Sequence, residues 1–310
     1  MTSQQSAASI KHASIQLGDG RRLGYSETAA SGDSAVLYLH GNPGSRREVL
    51  RPAYLAAFKR AGLRVISIDR PGYGDSDPPL EKGHLPFARD IEVLMDQLGL
   101  PSAVVVGHSR GTLPAISLGV RLPDRITAVG VFGPTGLPDD RELMRSQSAE
   151  ARLMLQLVRS APAFARSLFR VNSWVDRQFP AGAARRMARF MSSAADRAQL
   201  QASGQTFVET LAAGMRRDPA FAIDDWRSWL VDPLGFDPTS LRQPLLLWIG
   251  SEDGLCPARP VHHMAARIAG AQLRSLPGLG HLHTPEVLVE LMQATLSAEA
   301  SAPGHRPKRR

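Results

Sequence analysis

A serine flanked by glycines is the first candidate for chemistry in this sequence. Residues 107–111 read Gly-His-Ser-Arg-Gly, so that Ser109 has a glycine two positions away on each side. A nucleophilic serine on a sharp turn between a strand and a helix needs such small neighbours, because larger side chains would collide. The pentapeptide alone is a weak signal in a chain with 27 glycines. Its placement strengthens it, because the apolar run Ala103–Val106 precedes it and a helical pattern follows.

A nucleophilic serine also needs a base and an acid that orients the base. Asp253 comes directly after the apolar run Leu245–Ile249, and His281 follows a glycine-rich turn after the weaker run Ala271–Leu276. The order serine, aspartate, histidine is one in which this chemistry occurs. We therefore predict Ser109 as the nucleophile, Asp253 as the orienting acid and His281 as the base.

Neighbouring residues offer alternatives for both partner roles. They are Glu252, Asp139 and Asp140 for the acid, and His283, His262 and His263 for the base. His281 is favoured because Gly278 and Gly280 let its loop approach the serine closely. No metal site is expected, since the adjacent residues His262 and His263 would point apart on a helix.

An oxyanion formed during attack on a carbonyl needs preorganised N–H donors. We expect one donor to be the backbone N–H of Arg110, which follows the nucleophile. The other is the backbone N–H of Asn42, in the loop after the apolar run Ala35–Leu39. Asn42 also fits a turn before Pro43, and the two roles are compatible. We expect the side chain of Arg110 to be exposed to solvent; contact with an anionic substrate is the alternative.

The elements that would position these residues alternate along the chain. A hairpin is predicted from His12–Leu17 and Arg21–Glu27 around Gly18-Asp19-Gly20. Continuous apolar runs, typical of strands buried on both faces, then alternate with helical patterns. The runs are Ala35–Leu39, Arg64–Ile68, Ala103–Val106 and Ile126–Phe132, and the helical patterns are Glu48–Ala61, Phe87–Leu98 and Leu113–Leu122. This alternation predicts an α/β fold with helices on both faces of a sheet.

The alternation stops after residue 132 and resumes at about residue 241. Helical periodicity dominates between these points, and a final helix is predicted over Pro285–Leu296. An insertion of about a hundred residues is too long for an ordinary loop and suggests a lid. We predict a core of residues 1–135 and 241–300, a helical cap segment of residues 136–240, and a disordered basic tail of residues 301–310.

Composition and charge exclude several other classes of protein. The single cysteine, Cys256, excludes an internal disulfide framework. The net charge of +8 comes mostly from arginines scattered among acidic residues, and no nucleic-acid motif accompanies them. The first residues lack the features of a signal peptide, and no apolar run is long enough to span a bilayer. We expect a cytoplasmic protein that binds neither nucleic acid nor membranes.

Taken together, these motifs resemble the α/β-hydrolase superfamily. The matching segments are His40–Gly44, Asp69–Asp77, Gly107–Gly111, Gly250–Asp253 and Gly280–His281. The resemblance implies an eight-stranded, mostly parallel sheet with helices on both faces, and a helical cap inserted between strands six and seven. It also implies that the Asp69–Asp77 turn is structural, and that Ser109, Asp253 and His281 form a catalytic triad that uses no cofactor.

Departures from particular subfamilies narrow the expected reaction. Haloalkane dehalogenases and epoxide hydrolases of this fold use an aspartate nucleophile, whereas this chain has Ser109. Proline iminopeptidases carry glycine where this chain has Asn42, and tryptophan where it has Arg110. Hydrolysis of an ester, thioester or lactone with an apolar group is the expected activity. Carbon–carbon bond hydrolysis, cofactor-free perhydrolysis and a non-catalytic small-molecule receptor are the alternatives.

Overall fold

The computed structural model describes residues 10–28, 35–191 and 193–300. Its strands combine into one eight-stranded sheet in the order β1-β2-β4-β3-β5-β6-β7-β8. Only the pairings of β2 with β1 and with β4 are antiparallel. The prediction of an eight-stranded, mostly parallel sheet is therefore confirmed. The strands are β1 (Ile10–Gln16), β2 (Arg22–Thr28), β3 (Ala35–Leu39), β4 (Arg64–Ile68), β5 (Ala103–His108), β6 (Ile126–Phe132), β7 (Leu245–Gly250) and β8 (Ala271–Leu276).

Helices cover both faces of this sheet. Every side chain of β3, β5 and β7 is buried, because each strand lies between two layers of helices. Burying one valine or leucine in such a core contributes about 1.5–3 kcal/mol, so the continuous apolar runs specify the inner strands. The helices are α1 (Pro52–Ala61), α2 (Leu85–Gln97), α3 (Thr112–Arg121), α4 (Arg141–Arg145), α5 (Ala149–Ser160), α6 (Pro162–Gln178), α7 (Pro180–Phe190), α8 (Ala194–Gly214), α9 (Phe221–Leu230), α10 (Ala258–Arg267) and α11 (Pro285–Ala300).

Two apolar clusters form the core, one on each face of the sheet. Side chains of α2, α3 and α10 pack on one face, and those of α1 and α11 pack on the other. Pro114 lies in the first turn of α3, where the N–H that it lacks would have no partner within the helix. Pro114 is therefore compatible with an ordinary helix.

The cap segment contains α4 to α9 and lies between β6 and β7 in the chain. Its contacts reach the loops that follow β3, β4, β5 and β8. Parallel strands place these loops at one edge of the sheet, so the cap segment covers the edge where the candidate site residues lie. Within the described part of the chain, no helix is long and apolar enough to cross a membrane.

A few predicted boundaries were wrong. The helix expected from Glu48 begins only at Pro52, because residues 46–49 form a separate 3₁₀ turn capped by Ser45. The hairpin strands run from residues 10 to 16 and 22 to 28, a shift of one or two residues from the prediction. The basic tail at residues 301–310 lies outside the described residues, so its predicted disorder stays a prediction.

Candidate active site

Ser109 lies on a tight turn between β5 and α3. Its φ angle is +51°, and among the described residues no other non-glycine residue has a positive φ. Such a conformation is strained for an L-residue and is common at functional sites. A Cβ added at Gly107 would lie 2.6 Å from the carbonyl oxygen of Gly111, and one added at Gly111 would lie 2.5 Å from that of Leu39. Both glycines are therefore required by the close packing of this turn.

His281 and Asp253 are joined by a hydrogen bond. The Nδ1 atom of His281 lies 2.8 Å from Oδ2 of Asp253. The other carboxylate oxygen accepts hydrogen bonds from the backbone N–H groups of Leu255 and Cys256, at 2.9 and 2.8 Å. The carboxylate is thus fixed from both sides. It holds the imidazole with Nε2 as the nitrogen that remains for proton transfer.

The pair shifts the pKa of each of its members. Burial by itself would raise the pKa of the Asp253 carboxyl, but the charge and hydrogen bond of His281 hold it below its usual value. Burial opposes the charged form of His281, and the Asp253 carboxylate outweighs this effect and raises the pKa of His281 well above its usual value. The geometry therefore stabilises the imidazolium that a general base forms.

The structure brings Ser109 to the same sheet edge as this pair. The ring of His108, the residue before the nucleophile, lies 5.1 Å from the ring of His281 between centroids. Within the described residues, no hydrogen bond links the Ser109 hydroxyl to His281. Catalytic hydrogen bonds are often long in a structure without substrate and shorten when substrate binds. Ser109 and His281 are both buried, with exposed fractions of 8% and 5%.

The loop expected to supply the second oxyanion donor lies against the nucleophile. A Cβ added at Gly41 would lie 3.2 Å from Cβ of Ser109. The side chain of Asn42 donates from Nδ2 to the carbonyl oxygen of Ala222 in α9, at 2.8 Å. This contact orients the loop from above and leaves the backbone N–H of Asn42 without a partner among the described residues. The structure thus places the loop of Asn42 next to Ser109, and Arg110 follows Ser109 in the chain.

The alternative site residues are engaged elsewhere. Asp139 pairs with Arg267 at 2.7 Å, Asp140 pairs with His263 at 2.9 Å, and Ser193 donates to Glu252 at 3.3 Å. His262 is exposed on α10. None of these three interactions involves His281 or Ser109.

A buried polar cluster supports the loop of His281 from below. Nε2 of His108 donates to the carbonyl oxygen of His281 at 3.0 Å, and Nδ1 of His108 lies 2.5 Å from Glu48. The Nδ1 and Nε2 atoms of His283 lie 2.9 and 3.0 Å from the hydroxyls of Tyr54 and Tyr38. Burial lowers the pKa of His283 to about 4, so its ring is neutral near pH 7. His283 therefore has a structural place in the fold.

Among the described residues, two groups have potential metal-ligand atoms within 4.8 Å of one another. They are Glu48, His108 and His283, and Asp253, Cys256 and His281. In both groups the carboxylate and an imidazole already share a hydrogen bond. We interpret both as hydrogen-bonded networks and assign a metal to neither.

Asp196 is a contact to His281 that the sequence did not indicate. This residue at the start of α8 accepts hydrogen bonds from the backbone N–H groups of His281 and Leu282, at 2.7 and 2.8 Å. Gly280 makes room for it, because a Cβ there would lie 2.2 Å from the Asp196 carboxylate. A carboxylate of the cap segment thus fixes the backbone of the candidate base. The pairing could not be read from sequence, since 85 residues separate the partners.

Replacing Asp196 with asparagine should lower kcat for hydrolysis by about 10- to 100-fold, with a smaller change in KM. Asparagine can accept only one of the two backbone hydrogen bonds, and a small displacement of the base lowers the rate of the chemical step. Steady-state kinetics would check this. Asp218→Asn is the matched control, because Asp218 is another carboxylate of the cap segment and pairs with Arg170 at the surface. An equal loss in both variants, or a change confined to KM, would contradict a positioning role for Asp196.

The predicted exposure of the Arg110 side chain is wrong. Only 3% of the residue is exposed, because α9 of the cap segment lies across it. The guanidinium stacks on the rings of Trp226 and Trp229, at 5.3 and 4.4 Å from their centroids. Sequence patterns could not reveal this burial, since both indoles come from the inserted segment.

The other aromatic residues of the cap segment differ in their surroundings. Phe221 packs edge-on against Tyr73, at 6.0 Å between ring centroids. Phe169 and Phe207 pack into two small apolar clusters, whereas Phe164 and Trp174 are more than half exposed. Trp226 and Trp229 are therefore the cap aromatics that lie against the residue next to the nucleophile.

A groove of about 380 Å³ opens beside α9. Its lining includes residues 79–84 and several side chains of α9, and it extends to the buried ion pair of Arg70 and Asp225. Ser109 and His281 do not line it. We therefore assign the candidate active site from the geometry of its residues.

Parts of this chain resemble known proteins in sequence. The family model described as "alpha/beta hydrolase fold" matches residues 34–283. A 2-hydroxy-6-oxo-6-phenylhexa-2,4-dienoate hydrolase of Comamonas testosteroni is 34% identical over 111 residues, which are 35% of this chain and 39% of that protein. The sn-1-specific diacylglycerol lipase ABHD11 of Mus musculus is 35% identical over 123 residues, 38% of this chain and 40% of that protein. The chain thus spans about two fifths of the length of these relatives.

A solved structure extends the similarity to nearly the whole chain. An esterase from Exiguobacterium antarcticum superposes with a TM-score of 0.66 at 17% identity, and the match covers 94% of this chain and 100% of that one. At this identity the likeness concerns the fold alone.

Proposed function

The chain belongs to the α/β-hydrolase family, and from this premise we propose that it is a serine hydrolase acting on a carboxylic ester, a thioester or a lactone with an apolar group. The observation that carries the proposal is the buried hydrogen bond between His281 and Asp253, which lies at the same sheet edge as Ser109. A serine with strained backbone angles, a base and an orienting acid are the parts that acyl transfer needs.

In the proposed mechanism, His281 removes the proton of the Ser109 hydroxyl as the oxygen attacks the carbonyl carbon. Asp253 orients the imidazole and stabilises the imidazolium. The backbone N–H groups of Asn42 and Arg110 stabilise the oxyanion, each donor being worth about 3–4 kcal/mol. The imidazolium then protonates the leaving alcohol, and an acyl-enzyme remains. A water molecule activated by His281 releases the acid and restores the serine.

Two further features support this assignment. The apolar rings of Trp226 and Trp229 lie against the side chain of Arg110, the residue that follows the nucleophile. The mouse relative, named as a lipase, is consistent with an ester substrate.

Carbon–carbon bond hydrolysis is the second candidate function. The Comamonas relative is named for the hydrolysis of a dienoate, and it shares more than a third of the aligned residues with this chain. The same triad serves both reactions, so the site residues alone do not separate them.

A series of neutral p-nitrophenyl esters with increasing acyl length tests the proposal. We expect multiple turnovers, a rise in kcat/KM with acyl length up to a medium chain, and a burst of p-nitrophenol when the acyl-enzyme accumulates. A flat dependence on acyl length would contradict the apolar group. Absence of turnover with every ester would contradict ester hydrolysis and favour the carbon–carbon hydrolase or a non-catalytic receptor.

A further inference from the structure

Arg110 carries a buried guanidinium directly beside the nucleophile. Its Nη2 donates to the backbone carbonyl oxygen of Asp225 at 2.8 Å, and its Cζ atom lies over the rings of Trp226 and Trp229. Its Nε and Nη1 atoms are buried and have no hydrogen-bond partner among the described residues. Burial lowers the pKa of Arg110 to about 10, which still leaves the group charged near pH 7. Two donors of a buried cation are therefore unused.

The carboxylate that could balance this charge is already engaged. Both oxygens of Asp225 accept hydrogen bonds from Arg70, at 2.9 and 2.7 Å, and the hydroxyl of Tyr73 donates to one of them at 3.0 Å. The carboxylate of Asp225 thus pairs with Arg70, whereas Arg110 contacts only the Asp225 backbone, so the buried group formed by Arg70, Arg110 and Asp225 has a surplus of one positive charge. An uncompensated buried charge is costly, so it indicates a missing partner.

Arg166 of the cap segment does not share this feature. Arg166, which lines the groove beside α9, pairs with Asp224 at 3.3 Å and is 41% exposed at its side chain. Its charge is both screened by water and balanced by a neighbour. Arg110, the residue that follows the nucleophile, is instead buried and has no carboxylate paired with it among the described residues.

We propose that Arg110 binds a carboxylate of the substrate, so that the molecule cleaved at Ser109 carries an ionised carboxyl group besides its reacting carbonyl. This inference rests on the proposed function and names the class of its substrate. One carboxylate adds a single negative charge and neutralises the surplus, whereas a phosphate monoester would bring nearly two. Arginine N–H groups suit a carboxylate because hydrogen bonds between two ionised groups are short and strong.

The indoles explain how such a substrate also keeps an apolar part. The rings of Trp226 and Trp229 lie within 5.3 and 4.4 Å of the guanidinium carbon of Arg110. A ligand that accepts hydrogen bonds from this guanidinium would therefore lie close to both rings. A hydrocarbon chain that links the carboxylate to the reacting carbonyl would pack against these apolar surfaces. The substrate class is thus an ester with a carboxylate at the end of a short apolar chain.

Matched pairs of methyl esters test the proposal. The monomethyl esters of succinate, glutarate and adipate carry the carboxylate, and the methyl esters of the monocarboxylic acids with equal carbon number lack it. We expect the wild type to favour the charged member of at least one pair by tenfold or more in kcat/KM, measured by acid release at constant pH. A second arm moves the carboxylate to the alcohol side, with the butyryl ester of 3-hydroxypropanoate against propyl butyrate.

Arg110→Met should remove this preference by lowering the ratio of the two kcat/KM values at least about tenfold. The ratio isolates the carboxylate contact, because a general effect on catalysis lowers both values equally. Arg166→Met is the matched control and should leave the ratio unchanged. Arg110→Lys retains the charge and should give an intermediate ratio, and it serves as the test if the methionine variant does not fold. Equal losses for both esters, or no preference in the wild type, would overturn the proposal.

A binding measurement separates failure of this inference from failure of the proposed function. Glutarate and neutral valeramide are titrated against the wild type and Arg110→Met, with tryptophan fluorescence as the signal because two indoles flank the guanidinium. If no ester is hydrolysed, glutarate binding that depends on Arg110 would still support the carboxylate site while the esterase proposal fails. Glutarate binding that is absent, or no tighter than that of valeramide, would overturn the site.

Discussion

Substituting Ser109 with alanine should lower kcat for ester hydrolysis by about 10⁶-fold while the protein stays folded. The hydroxyl is the group that forms the acyl-enzyme in the proposed mechanism. Among the described residues, Ser109 is the one non-glycine residue with a positive φ angle. Some rate above that in water should remain, because the oxyanion donors are backbone groups that the substitution does not remove. The measurement is kcat for the best p-nitrophenyl ester, with circular dichroism to check the fold.

Ser117→Ala is the matched control for this variant. Ser117 is also buried, lies in the helix α3 that follows Ser109, and donates to the carbonyl oxygen of Pro114. Its loss should leave kcat within about threefold of the wild type, since a helix hydroxyl that bonds its own backbone contributes mainly to stability. A fluorophosphonate probe should label the wild type and Ser117→Ala at Ser109, and fail to label Ser109→Ala. Retention of turnover or labelling in Ser109→Ala would identify a different nucleophile.

Substituting Asp253 with asparagine should lower kcat by about 10⁴-fold near neutral pH. The asparagine would occupy the same space, but its amide could present a donor to Nδ1 of His281, so the ring would take the wrong tautomer. Glu252→Gln is the matched control, because it changes the neighbouring carboxylate in the same way and should leave kcat within about threefold. A larger loss in Glu252→Gln than in Asp253→Asn would assign the orienting role to Glu252.

The pH dependence gives Asp253 a second signature. His281 acts as a base only when it is neutral, and the Asp253 carboxylate raises the pKa of His281 above its usual 6.5. In the wild type, kcat/KM should therefore rise with pH through a midpoint above 6.5. Asp253→Asn removes the stabilising negative charge, so this midpoint should move to lower pH. An unchanged midpoint would show that Asp253 does not act on the titrating group.

The cap segment has more than one connection to the candidate site. Asp196 in α8 holds the backbone of His281, whereas α9 contacts Asn42 through Ala222 and Arg110 through Asp225. The base and both expected oxyanion residues thus each contact the inserted helices. Small shifts of these helices would change the geometry of the site. A substrate that moves the cap segment when it binds would therefore also change the rate of the chemical step.

Much of the fold could be predicted because its signals are local. The inner strands are short continuous apolar runs, and their predicted bounds agree with the structure to within one or two residues, as for Ala35–Leu39 and Ile126–Phe132. The start of α1 was predicted too early because the helical pattern read from Glu48 continues without a break into α1. In the structure Glu48 belongs to a separate turn. Glu48 is instead turned inward to His108, a contact across 60 residues that no local pattern contains.

The sequence by itself determined the fold and the order of the candidate catalytic residues along the chain. Buried strands need continuous apolar residues, and a tight turn at a serine needs glycines, so both requirements are written in adjacent positions. Only the tertiary structure decided which acid meets His281, how Asp196 reaches its backbone, and that Arg110 is buried without a balancing carboxylate. These features depend on distances between segments far apart in the chain, and burial changes the energy of a charge only once the surrounding segments have come together.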